Sequence, residues 1–388
     1  MPDKKKVMVI IGTRPEATKM GPLVKELQRH PDWFDTRLVV TGQHRQQLQQ
    51  ALAYFDLVPD VDLDIMKEQQ SLAYVATAAI AGLDKVMEAD RPDIVLAHGD
   101  TQTTFCAGLT AFFHRVPVGH VEAGLRSFNK YSPWPEEINR RLVDVVSDIY
   151  FAPTEVGRQN LLAEGYQENI YVTGQTAVDA ALSTYRKDYT FMETRLNELL
   201  RHPGRIIAMT AHRRENYGEP MRQMFSAVRR VVDDNPDVLL IYPVHLSPIV
   251  RQAAAEGLQG HERIQLLEPI EFPDMVNLLA RSYMVMSDSG GLQEESTVFS
   301  RPMVLMRDTT ERPEAVEAGA VYLAGTAEAD IYRVASRLLS DSEFYNRMAS
   351  AKNPFGDGHA SARIVQILAH YFGFTETLPD EFRFDEER

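Results

Sequence analysis

Histidine and acidic side chains occur two residues apart in two short segments that directly follow apolar runs. His98 and Asp100 lie in "AHGDTQTT", and His120 and Glu122 lie in "GHVEAGLRS". If each apolar run is a strand, this spacing places both members of a pair on one face. Two acids at neighbouring strand ends favour acid–base chemistry, although two histidines with two carboxylates could also bind a metal ion. Acid–base chemistry ranks first, because the sequence has neither an H-E-x-x-H motif nor Cys-rich spacing.

A third acidic candidate lies in a loop that two prolines stiffen. In "YSPWPEEINRRLVD", the prolines frame Trp134, and Glu136 and Glu137 open a predicted helix. Acids in a first turn interact favourably with the helix dipole, so a capping role also explains both residues. A place for Glu136 beside Asp100 and Glu122 would give three carboxylates, but spacing alone does not establish it.

Positive charges follow several other apolar runs. These are Arg14 and Lys19 in "GTRPEATKM", His212, Arg213 and Arg214 in "TAHRRENYGEP", His245 in "YPVHLSP", and Arg307 and Arg312 in "MRDTTERPEA". One basic loop is usually a solvated surface, but several at one sheet edge can bind a diphosphate. The first segment lacks the second glycine of G-x-x-x-x-G-K-[ST] and also lacks G-x-G-x-x-G, which argues against a nucleotide triphosphatase or a nicotinamide enzyme.

The stretch "SDSGGLQEES" at positions 287–296 suggests an anion site of its own. Its two glycines let a ligand approach the backbone, and the helix that follows begins with free N–H groups that favour negative charge. Glu294 and Glu295 lie one turn further on. Because carboxylates repel an anion, their place beside an anion site needs a separate explanation.

The elements that must position these residues alternate between strand and helix. Strand-like runs are, in the first half, "VMVII", "RLVVT", "DIVLAH", "PVGHV", "IYFAP" and "IYVTG", and in the second half "RIIAMTA", "VLLIYPV", "IQLLEPI", "YMVMSD", "PMVLM" and "AVYLAG". Continuous apolar strands separated by helices predict parallel sheets covered on both faces. The predicted fold class is α/β, with two doubly wound Rossmann-like domains at residues 1–180 and 200–358 and a boundary within residues 183–205. Ligands of such sheets bind at the carboxyl ends of the strands.

Composition narrows the class of protein. The chain has 388 residues and a net charge of −14, which argues against a general nucleic-acid binder. Cys106 is the single cysteine and lies in an apolar run, so a buried structural thiol is expected. "KKKVMVII" is too short for a signal peptide and no segment approaches a membrane span of roughly 18 apolar residues, so a cytoplasmic protein without a membrane partner is expected. The C-terminal "PDEFRFDEER" is predicted to be a frayed acidic tail.

Ten segments together resemble the bacterial UDP-N-acetylglucosamine 2-epimerases of the non-hydrolysing type. They are "GTRPEATKM", "GQHR", "HGDTQTT", "PVGHVEAGLRS", "YSPWPEEINR", "TAHRRENYGEP", "YPVHL", "SDSGGLQEE", "MRDTTERPEA" and "NPFGDGHAS". The resemblance covers about the whole chain in order. It implies a fold of the GT-B type with the ligand cleft between the two domains, a C-terminal helix at 360–375 that crosses back onto the first domain, a homodimer, and no cofactor or metal.

The resemblance also assigns residues to the substrate. Ser289, Gly290 and Gly291 would hold the diphosphate of UDP through backbone N–H groups, and Glu295 would accept hydrogen bonds from the ribose. Glu294 would then be an ordinary surface or packing acid. The resemblance further implies that Arg14, His212 and Arg312 contact the diphosphate and that Glu271 and Phe272 lie near the uracil. Lys19 is a further implied UDP-binding residue.

The implied reaction is the reversible epimerisation of UDP-N-acetylglucosamine to UDP-N-acetylmannosamine at C2, which would supply a precursor for cell-surface polysaccharide. Our hypothesis is elimination of UDP to 2-acetamidoglucal followed by re-addition. Asp100, Glu122 and Glu136 would form the acid–base group, while Arg14 and His212 would stabilise the departing diphosphate.

Three alternatives stay open. A hydrolysing epimerase would release free N-acetylmannosamine, although that branch has "GTRAD" where this chain has "GTRPE". A GT-B glycosyltransferase would keep the nucleotide site without needing the three carboxylates. A metal-dependent hydrolase would use His98, Asp100, His120 and Glu122 as ligands.

Some family members bind a second UDP-N-acetylglucosamine that activates them. The matching positions are Gln43, Gln46, Glu136, Arg213 and His245. Gln69 stands where the regulated members have arginine, so a charge-assisted contact with a diphosphate would be missing. A regulatory site that binds weakly is therefore expected.

Overall fold

The computed structural model describes residues 3–42, 45–67 and 70–384, apart from the side chains of residues 45–47. The contacts within the chain divide it into two compact units. The first runs to Ala180 and takes up the chain again from Phe355, and the second is Ala181–Pro354.

The first unit is built on a sheet of seven parallel strands. These are β1 (Lys5–Ile11), β2 (Phe34–Val40), β3 (Val61–Asp62), β4 (Ile94–His98), β5 (Val118–Val121), β6 (Ile149–Ala152) and β7 (Ile170–Val172), in the order β3-β2-β1-β4-β5-β6-β7. The helices are α1 (Arg14–Gln28), α2 (Arg45–Tyr54), α3 (Leu72–Ala89), α4 (Gln102–Phe113), α5 (Glu136–Val146), α6 (Glu155–Ala163) and α7 (Thr176–Thr184), the last of which continues past the unit's end. Every residue of β4 is buried, as expected for a strand with helices on both faces.

The second unit repeats the design with six parallel strands. These are β8 (Arg205–Thr210), β9 (Val238–Pro243), β10 (Ile264–Leu267), β11 (Met284–Ser287), β12 (Met303–Leu305) and β13 (Val321–Leu323), in the order β10-β9-β8-β11-β12-β13. Its helices are α8 (Thr194–Leu199), α9 (Glu219–Asp234), α10 (Pro248–Leu258), α11 (Phe272–Arg281), α12 (Gly291–Val298), α13 (Pro313–Glu317), α14 (Glu328–Ser340) and α15 (Ser342–Ala349), with a short 3₁₀ helix at Arg214–Asn216. Both strand orders reverse direction beside the first strand of the unit, which is the doubly wound arrangement. The predicted α/β class with two Rossmann-like domains is confirmed.

The chain returns to the first unit at Phe355 and ends its helical part with α16 (Ala360–Tyr371), which packs against α1. Asp179 caps α16, because its carboxylate accepts the backbone N–H groups of Ala360 at 3.1 Å and Ser361 at 2.7 Å. Burial raises the pKa of Asp179, and these hydrogen bonds oppose the rise. The cap therefore fixes where the returning helix begins.

The prediction of a frayed C-terminal tail is wrong for the part that the structure describes. Phe382 is buried, and its N–H donates to the carbonyl of Val172 at 2.9 Å. Glu381 accepts the N–H of Val172 at 3.1 Å and pairs with Arg158. An edge strand such as β7 has backbone groups that need partners, and the tail supplies them. Residues 385–388 lie outside the described residues.

Cys106 is fully buried in α4, and burial raises the pKa of its thiol to about 11. The expected buried structural thiol is therefore confirmed. Among the described residues, no helix combines the length and the apolar composition needed to cross a bilayer.

Candidate functional site

Glu122 is the most constrained of the predicted acids. It follows β5 with a φ of 70°, a left-handed conformation that costs free energy for any residue except glycine. Its buried carboxylate has three nitrogen atoms around Oε2: the Nζ atom of Lys19 at 2.5 Å, the Nε2 atom of Gln175 at 2.7 Å and the Nε2 atom of His98 at 3.3 Å. Lys19, which the resemblance assigned to UDP, thus contacts a carboxylate of the first unit.

His120 faces the interior of the first unit. Its Nε2 atom lies 2.7 Å from the carbonyl oxygen of Gly99, and its Nδ1 atom lies 2.6 Å from a carboxylate oxygen of Asp144. The other oxygen of Asp144 accepts from Arg126 at 2.7 Å. Because a carbonyl oxygen can only accept, Nε2 carries a proton, and both ring nitrogens are engaged.

This arrangement gives no support to the metal-hydrolase alternative. Within the described ranges, no three His, Cys, Asp or Glu side chains are grouped so that they could hold a metal ion. The period-two spacing that suggested four ligands therefore does not bring His98, Asp100, His120 and Glu122 together as one such group.

The other two predicted acids lie at the next loop and helix. Asp100 is partly exposed and forms an ion pair with Arg140. Glu136 is the first residue of α5 and is also partly exposed, so it is accessible to a ligand. Its neighbour Glu137 is buried and accepts the N–H groups of Ser127 at 2.9 Å and Phe128 at 3.1 Å. Glu137 therefore holds the loop before α5.

Glu16 was not identified from the sequence. It is buried in the first turn of α1 and accepts hydrogen bonds from Thr13 at 2.7 Å, Thr101 at 3.0 Å and Thr104 at 3.1 Å. Burial raises the pKa of Glu16, while these hydroxyl groups oppose the rise. It joins the loop after β1 to the loop after β4, which carries Asp100.

Just after β1, the backbone at Gly12 lies very close to the side chain of Thr103. A Cβ atom on Gly12 would lie 2.1 Å from Oγ1 of Thr103, so only glycine fits. Arg14 follows at the first turn of α1 and is half-buried. Among the residues that the structure describes, Arg14 has no hydrogen-bond or ion-pair partner, so its guanidinium group is available to an anion.

In the second unit, Asp288 organises the basic loop after β8. This fully buried carboxylate accepts the N–H groups of His212 at 3.1 Å and Arg213 at 3.0 Å, and the side-chain amide of Asn216 at 3.1 Å. The ring of His245 stacks on that of His212 at 5.6 Å. Burial lowers the pKa of His212 despite the opposing charge of Asp288, and Arg213 and His245 lower it further. Burial also lowers the pKa of His245.

Three arginines surround one buried carboxylate, that of Glu311. Its oxygens lie 2.7 Å from Arg312, 2.9 Å from Arg307 and 3.4 Å from Arg213. Burial alone would raise the pKa of Glu311, but these three positive charges outweigh it and hold the pKa well below its ordinary value. A Cβ atom on Gly290 would lie 2.6 Å from Glu311 and 2.9 Å from Arg312, so the arginine cluster lies directly against the glycine turn.

The glycine turn itself is compact. The N–H of Ser289 donates to Oγ of Ser287 at 2.9 Å, and Gly291 begins α12. A Cβ atom on Gly291 would have Glu295 as its nearest neighbour at 3.9 Å, so the backbone here is open. Glu294 is buried and accepts from Nε of Arg312 at 2.5 Å, as expected for a packing acid.

The remaining predicted positions are distributed as follows. Glu271 and Phe272 are both half-buried at the start of α11, and Glu271 is its N-cap without a capping side chain. Gln43, Gln69 and the side chain of Gln46, predicted for a regulatory site, lie outside the described residues.

Known proteins are similar to this chain over nearly its whole length. A sequence model of the UDP-N-acetylglucosamine 2-epimerase family matches residues 25–369. The UDP-N-acetylglucosamine 2-epimerase of Bacillus subtilis is 49% identical over 98% of this chain and 99% of its own. A crystal structure from Listeria monocytogenes superposes with a TM-score of 0.93 at 49% identity, covering 98% of this chain and 99% of that chain. The Neisseria meningitidis UDP-GlcNAc 2-epimerase, solved with UDP-GlcNAc bound, superposes with a TM-score of 0.87 at 42% identity, covering 94% and 99%.

Proposed function

Because the chain belongs to the UDP-N-acetylglucosamine 2-epimerase family, we propose that it interconverts UDP-N-acetylglucosamine and UDP-N-acetylmannosamine without hydrolysis. The observation that carries this proposal is Glu122, a carboxylate held in a left-handed backbone conformation with Lys19 and Gln175 as donors. Strain of this kind concentrates at functional sites. The arginine cluster beside Gly290 is suited to the diphosphate of the same substrate.

The reaction needs a route around the weak acidity of the C2 proton, which has no neighbouring carbonyl group. In the proposed elimination, a carboxylate takes the C2 proton, the C–H electron pair forms a double bond between C1 and C2, and the bond from C1 to the diphosphate oxygen breaks. UDP leaves with the electron pair of the broken C1–O bond. Re-addition of UDP at C1, with protonation of C2 from the other face, gives the epimer.

The roles follow from the chemistry of each group. Glu122 and its two fellow acids, Asp100 and Glu136, would transfer the protons. Arg14, which has no partner among the described residues, and His212 would stabilise the charge that develops on UDP. The lowered pKa of His212 keeps its imidazole neutral at pH 7, so it would donate one hydrogen bond as a neutral ring, and it would still donate after the diphosphate raises its proton affinity.

The rest of the nucleotide would be held by the second unit. Backbone N–H groups at Gly290 and Gly291 and the cation of Arg312 would contact the diphosphate, with Ser289 beside them. Glu295 would accept from the ribose, and Glu271 and Phe272 would lie near the uracil. These assignments rest on the resemblance and on the open backbone at Gly291.

The test is incubation of the pure protein with UDP-N-acetylglucosamine alone in heavy water, followed by NMR. The expected result is UDP-N-acetylmannosamine with deuterium at C2. Unlabelled product would overturn the elimination, free N-acetylmannosamine would show a hydrolysing enzyme, and unchanged substrate would overturn the proposal. Glu122→Gln should abolish turnover, whereas Glu343→Gln, at the exposed start of α15, should not.

We also propose that the protein forms a homodimer through α5. Ile138, Leu142 and Val145 lie on one face of this helix at helical spacing and are 37%, 41% and 66% exposed. Phe112 and Phe113 at the end of the adjacent α4 are also exposed. An apolar surface of this kind favours association.

Sedimentation should show a dimer for the native chain and a monomer for Leu142→Glu. Leu246→Glu, an exposed leucine of the second unit, is the matched control and should remain dimeric. A native monomer would contradict the proposal.

A second UDP-N-acetylglucosamine would bind weakly, because Gln69 brings no charge, and would activate the reverse reaction at higher concentrations. Gln69→Arg should lower the activator concentration needed when turnover starts from UDP-N-acetylmannosamine. Full rates without activator in both proteins would exclude this regulation. Location in the cytoplasm and supply of a cell-surface polysaccharide stay predictions from the resemblance.

A further inference from the structure

We propose that Gln175 is a positioning residue of this site and that the returning C-terminal segment sets its place. The inference rests on the proposed epimerase function and extends it to a residue and a segment outside the acid–base group. Three sets of contacts support it: those of the Gln175 side chain, those of its backbone and those of the residues beside it.

The side chain of Gln175 reaches the acid that the reaction uses. Gln175 is buried, and its Nε2 atom donates to Oε2 of Glu122 at 2.7 Å. The charged and titratable groups facing the same oxygen are Lys19 from α1 and His98 from β4. An amide stays a donor at every pH, whereas the histidine depends on its protonation state. The hydrogen bond from Gln175 therefore orients the carboxylate of Glu122 in a way that does not depend on the protonation state of Gln175.

The backbone of Gln175 is held by the chain that returns from the second unit. Its N–H donates to the carbonyl oxygen of Phe355 at 2.7 Å. The preceding Gly174 has a φ of +85°, and a Cβ atom there would lie 3.4 Å from the Cα atom of Gly356 and 3.7 Å from the ring of Phe382. Both residues 355–356 and the C-terminal tail therefore lie against the turn that carries Gln175.

A third contact closes the same turn. Arg363 in α16 donates to the carbonyl oxygen of Thr173 at 3.1 Å and pairs with Asp357 at 2.6 Å. The turn is therefore held at Thr173, Gly174 and Gln175 by residues from Phe355 onward. Glu122 consequently takes its orientation from a segment more than two hundred residues further along the chain.

The test uses Gln175→Leu in the full chain, with Gln159→Leu as the matched control on the exposed face of α6. Loss of a hydrogen bond to the ionised carboxylate should raise its proton affinity. We expect the limb of the kcat/KM profile that reports Glu122 to move up by about one pH unit. We also expect kcat to fall roughly tenfold to a hundredfold, with UDP affinity unchanged.

A lower melting temperature with an unmoved pH profile would show a merely structural role and overturn the inference. If Gln175→Leu does not fold, Gln175→Glu replaces it, and its carboxylate opposite Glu122 should move the limb further. Phe382→Ala should shift the same limb of the kcat/KM profile in the same direction but by less. If that limb does not move, the C-terminal segment does not set the place of Gln175, and that part of the inference is wrong. Failure of the native protein to epimerise would instead overturn the proposed function.

Discussion

Replacing Gly290 by alanine separates packing from backbone strain at the arginine cluster. Gly290 has a φ of −67°, which any residue can adopt, so alanine brings no conformational penalty. Its Cβ atom, however, would lie 2.6 Å from Glu311 and 2.9 Å from Arg312. Ordinary contacts lie near 3.5 Å, so these buried ends would have to move by about 0.6–0.9 Å.

The displaced carboxylate would lengthen its contacts with Arg312 and Arg213, which are now 2.7 and 3.4 Å. Overpacking of this kind costs about 1–3 kcal/mol, and the smaller entropy of the unfolded alanine chain returns about 0.4–1 kcal/mol. The net loss relative to the native chain is about 0–2.6 kcal/mol, which lowers the melting temperature of a unit this size by at most roughly 10 °C.

Gly291→Ala is the control, because a Cβ atom there has 3.9 Å of room. Its melting temperature should match the native value or exceed it. Calorimetry without ligand compares the three proteins, and equal melting temperatures for Gly290→Ala and Gly291→Ala would refute the packing argument. Titration with UDP then tests the backbone contact, since a methyl group at Gly291 should weaken binding even where the fold is intact.

Three further predictions follow from the geometry. The ring of His212 should titrate below 6.5 by NMR and shift upward on adding UDP, and an unliganded value at or above 6.5 would contradict this. Because the folded pKa is lowered, the unfolded chain binds more protons just below pH 6.5, so this residue makes stability fall as the pH drops through that range. Gly12→Ala should destabilise the chain by about 1–3 kcal/mol, and adding Thr103→Ala should recover part of that loss in denaturant unfolding. Cys106 should resist a thiol reagent at pH 8 in the folded protein and react fully in denaturant, so rapid labelling of the native chain would argue against a buried thiol.

The strands could be predicted from the sequence because nearly all of them contain a short run of mainly apolar residues, and burial between two layers of helices favours such runs. Every strand-like run identified in the sequence is a strand, whereas β3, two residues long, is too short to show a pattern. The tail was misjudged for a related reason. Its acidic composition indicated disorder, but Phe382 and the open edge of β7 decide its structure.

The acids that organise the site were harder to find. Glu16, Asp144 and Asp288 are buried and receive hydrogen bonds from residues distant in sequence. Nothing in the types or spacing near Glu16 or Asp144 distinguishes them from surface carboxylates, whereas Asp288 directly follows β11 and could have been noticed by its position. Asp100 and Glu122 were recognisable because they closely follow β4 and β5, where position indicates function. Gln175 has the same position after β7 and could have been noticed by that rule.

The return of the chain at Phe355 has a consequence for biosynthesis. Ribosomes add about 5–20 residues per second, so the segment that begins at Phe355 is made roughly 10–35 s after Ala180. During that interval the second unit, which is continuous in sequence, is synthesised, and its last strand is complete at Leu323. The first unit has its sheet but lacks α16, the cap at Asp179 and the tail on β7. Until then, the face of α1 that packs against α16 and the outer edge of β7 have no partner from this segment.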